Sequence, residues 1–391
     1  MSLGFEQAGF DILLAVEIDP VHCATYAYNF PHTQMLCGDI TRLTGEELRQ
    51  RSIIQSQNID VVFGGPPCQG FSLMGKRVLD DPRNSLVFHF IRIVSELQPR
   101  YFVMENVKGM ALGRHRKFVE EIITTLDAQG YEVRQPCRVL NAADYGVPQK
   151  RERLFILGCR RGEVLPDYPL SQSPPPQVWD ALQDLPTIED YPELHYQDWT
   201  IATFGVPSSY AQSLRNSAQG YAYQRFYNPQ VLTSSLRTNH SRRSQSRFAA
   251  TPAGTLEPVS RLFRLDPAGI CPTLRAGTPS NRGGFTAPRP LHPHLPRCIT
   301  VREAARLHSY PDWFRFHITK WHGCRQVGNS VPPLLAKAVA EQISTSLAMS
   351  PVTPPGGLTL TQTHLLTINM AQATKYYGVD RYVIGKRLKK M

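Results

Sequence analysis

The chain has 391 residues, enough for two domains and a sizeable core, and 41% of them are hydrophobic, which is ordinary for a globular protein. No apolar run approaches the roughly 20 residues of a membrane-spanning helix, and no basic stretch followed by an apolar one opens the sequence, so we expect a cytoplasmic protein without a membrane partner. The formal net charge is +11, and its distribution along the chain is more informative than its size.

The eight cysteines do not form a metal-binding or disulfide pattern. No two of them are spaced as Cys-x-x-Cys, so the sequence predicts neither a zinc site nor a disulfide framework. We therefore expect free thiols in a reducing compartment and no metal cofactor.

The N-terminal segment predicts a short helix that ends at Gly9, followed by a strand over residues 12–16. Glu17 and Ile18 follow that strand directly. An acid at the end of such a strand can accept hydrogen bonds from ribose hydroxyls, and an apolar neighbour can cover adenine, although a lone strand-end acid is more often a helix cap. The short segment Cys37-Gly38-Asp39-Ile40 is a weak signal by itself, and a simple turn is its alternative interpretation.

A thiol follows the next predicted strand, residues 59–63. The loop Gly64-Gly65-Pro66-Pro67-Cys68-Gln69-Gly70 has two prolines before the cysteine and a glycine after it, which suits a nucleophile held in a fixed geometry. The alternative is a structural turn with a buried, inert cysteine.

Two more strand ends carry polar side chains. Residues 100–104 form a strand that leads to Glu105, and Arg151 and Arg153 open the apolar run 154–157. We expect the thiol, the carboxyl group and the two arginines to converge on one cleft. Helices are predicted between the strands, so the alternation to about residue 160 indicates a parallel, doubly wound α/β sheet.

Four motifs in this order resemble those of the DNA (cytosine-5)-methyltransferases of the bacterial modification type. They are the Pro66-Pro67-Cys68-Gln69 loop, Glu105-Asn106-Val107, Gln149-Lys150-Arg151-Glu152-Arg153, and the segment from Gln326 to Pro333. The resemblance covers about the first 345 residues apart from a variable middle. It implies a mostly parallel, Rossmann-like methyltransferase sheet with a smaller, irregular, loop-rich target recognition domain.

The resemblance also implies a mechanism with S-adenosyl-L-methionine as methyl donor. Cys68 would add to carbon 6 of a flipped-out cytosine in duplex DNA, and Glu105, protonated or sharing a proton, would hydrogen-bond nitrogen 3 and the exocyclic amine. Arg153 would hold the ring oxygen and Arg151 would support the loop. The residues implied to line the cofactor pocket are Glu17, Ile18, Asp39, Ile40, Pro66, Asn329, Ser330 and Val331.

One feature departs from the family pattern. Family members have a first strand and a glycine-rich loop before a helix like Ser2-Leu3-Gly4-Phe5, and this sequence begins inside that motif. We expect the sheet to lack its first strand and part of the cofactor pocket. A start assigned at an internal methionine explains this, and a truncated, catalytically inactive DNA-binding remnant is the alternative.

The middle of the chain carries the positive charge. Residues 201–330 contain 17 Arg and Lys against four acids, while the remainder has a net charge of −2. Such a concentration indicates a nucleic-acid surface rather than an ordinary solvated face. A tRNA cytosine-5 methyltransferase is a second alternative, but such proteins lack a large basic recognition domain. The candidate DNA contacts are Arg242, Arg243, Arg247, Arg275 and Arg282.

The predicted organisation is a catalytic and cofactor-binding part at 1–172, a target recognition domain at 173–296, a return to the catalytic domain at 297–349 and a C-terminal extension at 350–391. Thr300 and Glu303 form a capping box that starts a helix, and Pro332 and Pro333 start another. The basic end of the extension is predicted to be a solvated tail. We expect a monomer, with a cognate restriction endonuclease encoded nearby.

Overall fold

A computed structural model of the chain describes residues 1–67, 85–113, 116–172, 174–277, 289–380 and 383, without the side chain of Ser85. The helices are α1 (Ser2–Gln7), α2 (Pro20–Asn29), α3 (Gly45–Gln50), α4 (Ser85–Leu97), α5 (Arg116–Ala128), α6 (Val178–Leu182), α7 (Ser209–Arg215), α8 (Arg242–Ala250), α9 (Val301–Arg306), α10 (Lys320–Asn329), α11 (Pro333–Ser346) and α12 (Met370–Tyr377). The strands are β1 (Leu14–Glu17), β2 (Gln34–Cys37), β3 (Val61–Gly64), β4 (Tyr101–Val107), β5 (Tyr131–Val133), β6 (Arg138–Asn141), β7 (Gln149–Lys150), β8 (Glu152–Arg160), β9 (Thr200–Ile201), β10 (Gln224–Phe226), β11 (Val231–Leu232), β12 (Cys271–Pro272) and β13 (Gly357–Thr359).

The larger sheet has the strand order β3-β4-β8-β5. β3 and β4 are parallel because α4 connects them as a crossover, whereas β8 runs antiparallel to β4. After α5 the chain turns at Gly130, which has a φ of +85°, and β5 and then β6 pair along the free edge of β8. The predicted α/β class is confirmed, with an antiparallel strand, β8, beside the parallel pair.

β1 and β2 form a separate parallel pair in which Glu17 lies opposite Cys37. Apolar side chains of this pair, among them Val16 and Leu36, pack with Leu48 of α3 and Ile93 of α4. Within the described ranges, no backbone pairing joins β1 or β2 to the larger sheet. Packing of apolar side chains therefore holds the two sheets next to each other.

Helices cover both faces of the larger sheet. Alternate residues of β4 point to opposite faces, so Tyr101 and Val103 pack with α1 and α11, while Phe102 and Met104 pack with α4 and α5. α1 and α11 approach closely because position 4 is glycine: a Cβ there would lie 2.5 Å from that of Ala336. This three-layer arrangement holds the carboxyl ends of β3 and β4 rigidly.

The described residues between 174 and 319 form short helices, strands of two or three residues and long loops. Its main core includes Val178, Leu214 and Phe316, and it is continuous with Leu3 and Phe30 of the N-terminal part. The predicted capping box of α9 is present: the Thr300 hydroxyl accepts from the Glu303 amide, and the Glu303 carboxylate accepts from the Thr300 amide. This irregular region is thus packed directly against the sheet layers.

The C-terminal part begins with α11, whose predicted start is confirmed, with Pro332 at its N-cap and Pro333 in its first turn. The apolar side chains on one side of this helix are buried, namely Leu335, Ala338, Val339 and Ile343. The basic residues near the end, 386–390, lie outside the described residues. In the part of the chain that the structure describes, no helix is long and apolar enough to cross a membrane.

Candidate active site

The ends of β3 and β4 meet at one edge of the larger sheet. The Asn106 side-chain amide donates to the backbone carbonyl of Pro66 over 3.0 Å, which ties the loop after β3 to β4. Gly65 lies so close to Glu105 that an added Cβ would be 2.9 Å from the Glu105 Oε2. A side chain at position 65 would therefore displace the Glu105 carboxyl group. Cys68 itself lies outside the described residues, one peptide bond after Pro67.

Glu105 of β4 and Arg153 of β8 form an ion pair, with 2.9 Å between Glu105 Oε1 and Arg153 Nε. Their side chains are 13% and 16% exposed, so the pair is largely removed from water yet open on one side. Arg153 lies opposite Val107 in the antiparallel register, and one of its terminal nitrogens also donates to the carbonyl of Glu152. These contacts fix both polar groups at the mouth of the site.

Arg151 does not join this pair but points into the protein, where it is 1% exposed. Its guanidinium donates to three backbone carbonyls, those of Leu274, Gly328 and Ser330, over 2.8–3.0 Å. Burial, followed by the charge of Arg153, lowers the pKa of Arg151 to about 9, so the group is still cationic at neutral pH. Arg151 therefore connects its own segment to two distant ones, around Leu274 and at residues 328–330, rather than facing the cleft.

Two further buried side chains take part in this connection, and the sequence had not indicated a role for either of them. Gln149 donates to the Leu307 carbonyl and accepts from the Leu274 amide, each over 3.1 Å. His308 Nε2 lies 3.1 Å from the Ser330 carbonyl and its Nδ1 lies 2.9 Å from the Gln149 Nε2. Burial holds the pKa of His308 well below its usual value, so the ring is neutral. Gln149 stands two residues before Arg151, but nothing local in the sequence pointed to His308.

A second group of predicted site residues lies at the ends of β1 and β2. The Glu17 Oε1 accepts hydrogen bonds from the amides of Ile18 and Asp19, while Oε2 makes no hydrogen bond to the described residues. The N-cap of α2 is Asp19, whose carboxylate accepts from the amides of Val21 and His22. Glu17 is therefore not the helix cap, and one of its oxygens is free to accept from a ligand.

Asp39 and Ile40 lie beside Glu17 because β1 and β2 are parallel and in register, and the Gly38 amide donates to the Glu17 carbonyl over 2.9 Å. Asp39 Oδ1 accepts from the Thr41 amide, and Arg92 of α4 donates to the Ile40 carbonyl. Ile18 is 36% exposed, an apolar side chain available at this edge.

The end of α10 supplies the remaining predicted cofactor residues. Asn329 is exposed, whereas the Ser330 hydroxyl donates to the Val327 carbonyl and Val331 is buried in the core between the sheet and α11. The Ser330 carbonyl is the acceptor shared by Arg151 and His308. These hydrogen bonds therefore fix the turn after α10 to the rest of the protein.

The predicted DNA-contacting arginines differ in their surroundings. Arg242 and Arg243 are exposed in the first turn of α8, which Ser241 caps. Arg247 on the same helix is half-buried and lies 3.3 Å from the Glu257 carboxylate. Arg275 is exposed, and its backbone packs so tightly on Gly328 that a Cβ there would lie 2.5 Å from the Arg275 carbonyl carbon. Arg282 lies outside the described residues.

Not all of the positive charge in residues 201–330 lies on the surface. Four arginines are at most 7% exposed and bind acids or carbonyls of the interior, namely Arg225, Arg297, Arg302 and Arg306. Arg225, for example, bonds both oxygens of the buried Glu6 carboxylate over 2.7 and 3.0 Å. Part of the predicted basic surface is thus a structural network. Across the described ranges, no three His, Cys, Asp or Glu side chains are grouped as metal ligands.

Comparison with known proteins identifies the family. The model of C-5 cytosine-specific DNA methylases matches residues 1–345. Type II methyltransferase M.XorII from Xanthomonas oryzae is 53% identical, over 99% of this chain and 92% of its own, and M.DdeI from Desulfomicrobium norvegicum is 34% identical, over 88% and 85%. A crystal structure from E. coli, described as a prophage-encoded DNA modification methyltransferase, shares 34% identity and superposes with a TM-score of 0.75 over 89% of this chain and 96% of that one.

Proposed function

Since this chain belongs to the C-5 cytosine-specific DNA methylase family, with type II modification methyltransferases as relatives, we propose that it methylates carbon 5 of a flipped-out cytosine in a specific duplex DNA sequence, with Cys68 as the nucleophile. The family uses S-adenosyl-L-methionine as methyl donor. In the restriction-modification context of the relatives, a cognate restriction endonuclease is the proposed genetic partner. The observation that carries the catalytic part of the proposal is the Glu105–Arg153 pair at the carboxyl end of β4.

A nucleophile is needed because carbon 5 of cytosine is too electron-poor to take a methyl group directly. A thiolate that adds to carbon 6 places electron density on carbon 5, and thiolate is a strong nucleophile near neutral pH. Cys68 is the proposed source, because it follows the Gly65-Pro66-Pro67 segment, which Asn106 holds in place and which lies next to Glu105. After methyl transfer, loss of the carbon 5 proton and of the Cys68 sulfur restores the aromatic ring.

Addition also requires that the ring receive a proton at nitrogen 3. We assign this to Glu105, protonated or sharing a proton with the base, which sits at the mouth of the site and is only 13% exposed. Arg153 keeps the carboxyl group in place through Nε, and its guanidinium has further donors for the ring oxygen. Arg151 acts from the interior by fixing the segments around Leu274 and Ser330.

The ends of β1 and β2 fit a nucleoside. Glu17 offers Oε2 to the ribose hydroxyls, and the exposed Ile18 side chain offers an apolar surface to adenine, with Asp39 and Ile40 at the adenine amine. Pro66, Asn329, Ser330 and Val331 are proposed to complete the pocket. The bound cofactor supplies an electrophilic methyl group, and these residues orient it.

The target base must leave the duplex, because carbon 6 is inaccessible in stacked DNA, at a cost of a few kcal/mol. We propose that residues 173–296 form the target recognition domain that offsets this cost. The exposed Arg242 and Arg243 at the N-terminus of α8 combine cationic side chains with free backbone amides, a suitable site for DNA phosphates. Arg275, whose backbone packs on Gly328, is proposed to contact DNA nearer to the flipped base, and Arg247 and Arg282 complete the proposed set of contacts.

The proposal is tested with tritium-labelled S-adenosyl-L-methionine and unmethylated genomic DNA, followed by nucleoside analysis of the product. We expect the label in 5-methylcytosine with the unchanged chain and none with Cys68→Ala, while Cys159→Ala, a buried thiol on β8, serves as a matched control that keeps activity. Labelling of adenine or of cytosine nitrogen 4, or an active Cys68→Ala, refutes the proposal. If the unchanged chain binds DNA but transfers no methyl group, the result supports the alternative of a catalytically inactive DNA-binding remnant.

A further inference from the structure

The chain after α11 packs against two parts of the molecule, first β10 and then α2. We name residues 351–380 the C-terminal strap. Its strand β13 pairs in parallel with β10, with Gly357 opposite Gln224 and Thr359 opposite Phe226. A Cβ at Gly357 would lie 2.4 Å from the Phe226 ring, so the pairing is close-packed. The strap is thereby anchored to the region proposed for target recognition.

The strap then covers α2. Leu365 and Leu366, in a 3-10 turn, are each 1% exposed and pack with Ala24 and Tyr28 of α2. Two contacts to carbonyl groups fix the turn and the residues after it: the Ile318 amide donates to the Leu366 carbonyl over 3.0 Å, and the His317 side-chain Nε2 lies 3.2 Å from the Ile368 carbonyl. The outer face of α2 is therefore buried by the strap.

The last helix of the strap, α12, is short but well terminated. Asn369 and Gln372 form a capping box at its start, and Gly378, with a φ of +62°, ends it. Its inward side chains include Ala373 at 0% and Thr374 at 5% exposure. At its end Tyr377 packs on the same cluster as Tyr28, and its hydroxyl is buried with no hydrogen-bond partner in the described part of the chain.

The strap is linked to the proposed cofactor site through α2. Ala24, which packs with Leu365 and Leu366, directly follows Cys23 on this helix. Cys23, on α2, donates to the carbonyl of Glu17 over 3.3 Å, and Cys37, at the end of β2, faces the carbonyl of Ile18 at 4.0 Å. Contacts thus run from the strap through α2 to the backbone of Glu17, the residue proposed to hold the ribose, and α2 itself begins directly after Ile18 and Asp19.

We propose that the C-terminal strap is a positioning element of the cofactor site, holding α2 and the Glu17-Ile18 backbone in the geometry that S-adenosyl-L-methionine requires. This inference rests on the proposed cofactor role of Glu17 and Ile18. It assigns a function to a segment beyond residues 1–345, the part that the family model matches. The strap acts through other residues and touches no reacting atom. Loss of its contacts is expected to weaken cofactor binding selectively, since α2 also starts at Asp19, next to Ile18.

The test is calorimetric binding of S-adenosyl-L-methionine to the full chain and to four variants. We expect Leu366→Ala and Tyr377→Ala to bind the cofactor about tenfold more weakly, because each removes buried contacts with α2. Leu366→Met, which nearly conserves volume, should bind within about twofold of the unchanged chain. Lys375→Ala, an exposed position on the same helix, is the matched control and should bind normally.

Kinetics separate positioning from general stability. We expect the two weakening variants to raise KM for S-adenosyl-L-methionine while kcat at saturation and KM for DNA stay unchanged. Unchanged cofactor affinity in both, or a parallel loss of affinity for cofactor and DNA, overturns the inference. If Leu366→Ala fails to fold, Tyr377→Ala decides alone. A chain that binds cofactor but transfers no methyl group refutes the proposed function, whereas the calorimetric comparison still decides the role of the strap.

Discussion

Arg153 Nε and Glu105 Oε1 lie 2.9 Å apart across two antiparallel strands. The pair lies at the sheet edge that the chain reaches just before Cys68. The pair needs three supports: Gly65 leaves room for the carboxylate, Asn106 holds Pro66, and the β4–β8 register brings the two side chains together. A carboxyl group held in this way has a fixed direction toward any ring bound in the cleft.

Replacing Glu105 by Gln tests its proposed proton transfer. The carboxamide keeps the size and can still hydrogen-bond to nitrogen 3, but it cannot give up a proton, so we expect kcat to fall by about 10²–10⁴-fold with little change in DNA affinity. Single-turnover methylation measures this. Glu152→Gln is the matched control, because Glu152 pairs with Lys108 and is 35% exposed. A Glu105→Gln enzyme with near-normal kcat contradicts the assignment.

Arg243 is expected to contact a DNA phosphate. Arg243→Ala should weaken binding to all duplexes alike and reduce the slope of log K against log salt by about one. Fluorescence anisotropy at several salt concentrations measures both effects. Arg161→Ala is the control, since Arg161 is 59% exposed and pairs with Asp127 at the end of α5. An unchanged salt slope in Arg243→Ala removes this residue from the proposed interface.

The buried Glu6–Arg225 pair should be important for stability. Arg225 is 0% exposed, so Arg225→Met leaves the Glu6 charge without its partner and is expected to cost about 3–5 kcal/mol of unfolding free energy. Glu6→Gln combined with Arg225→Met removes the uncompensated charge and should be more stable than Arg225→Met alone. Urea denaturation of both variants checks the order. Equal or reversed stabilities would show that the pair carries no such charge penalty.

Stability should also fall in acid through Glu303. Burial alone would raise the pKa of Glu303, but the charge and hydrogen bonds of Arg297 outweigh it and lower the pKa to about 2. An acid with a lower pKa in the folded protein stabilises it above the unfolded pKa, about 4.3, and this stabilisation is lost as the pH falls toward the folded pKa.

We therefore expect the unchanged chain to lose about 2 kcal/mol more than Glu303→Gln between pH 6 and pH 3. Gln can keep the capping box with Thr300, so the variant should fold. Protonation of His292, 3.7 Å from Glu303, adds to the loss of stability in the upper part of this range, because burial lowers the pKa of His292 to about 4. Urea midpoints at several pH values provide the comparison, and identical pH profiles for the two proteins would contradict it.

Local patterns sufficed for much of the fold. The β-branched run before Gly64 and the apolar run before Glu105 are adjacent parallel strands, and the Thr300 capping box and the Pro332-Pro333 pair start helices where expected. Each of these features depends on residues close in sequence, where side-chain size and backbone preference act directly.

Contacts between distant segments could not be predicted in this way. β12 pairs with β7, with Cys271 opposite Gln149, and both strands have only two residues, too few for a detectable period. The interior role of Arg225 depends on Glu6, which lies 219 positions earlier. In the sequence, Arg225 and Arg243 are equivalent positive charges, and only the packing distinguishes a structural arginine from an exposed one.

The same reasoning applies to the C-terminal strap. The sequence after residue 350 lacks a long periodic segment, and its two buried leucines, Leu365 and Leu366, are adjacent rather than at helical spacing. Their burial arises from α2, more than 330 residues earlier in the chain, so a local pattern could not show it.

The measurement that tests the central claim most directly is the capture of the covalent intermediate. Unmethylated DNA is copied with 5-fluorocytosine in place of cytosine, so that every target is trapped whichever sequence is recognised, because fluorine cannot leave carbon 5 as a cation. With S-adenosyl-L-methionine present, we predict a stable protein–DNA adduct whose cross-linked peptide carries the base on Cys68, and no adduct with Cys68→Ala. Methylation of ordinary DNA without any adduct on the fluorinated DNA, or an adduct on another residue, would contradict Cys68 as the nucleophile.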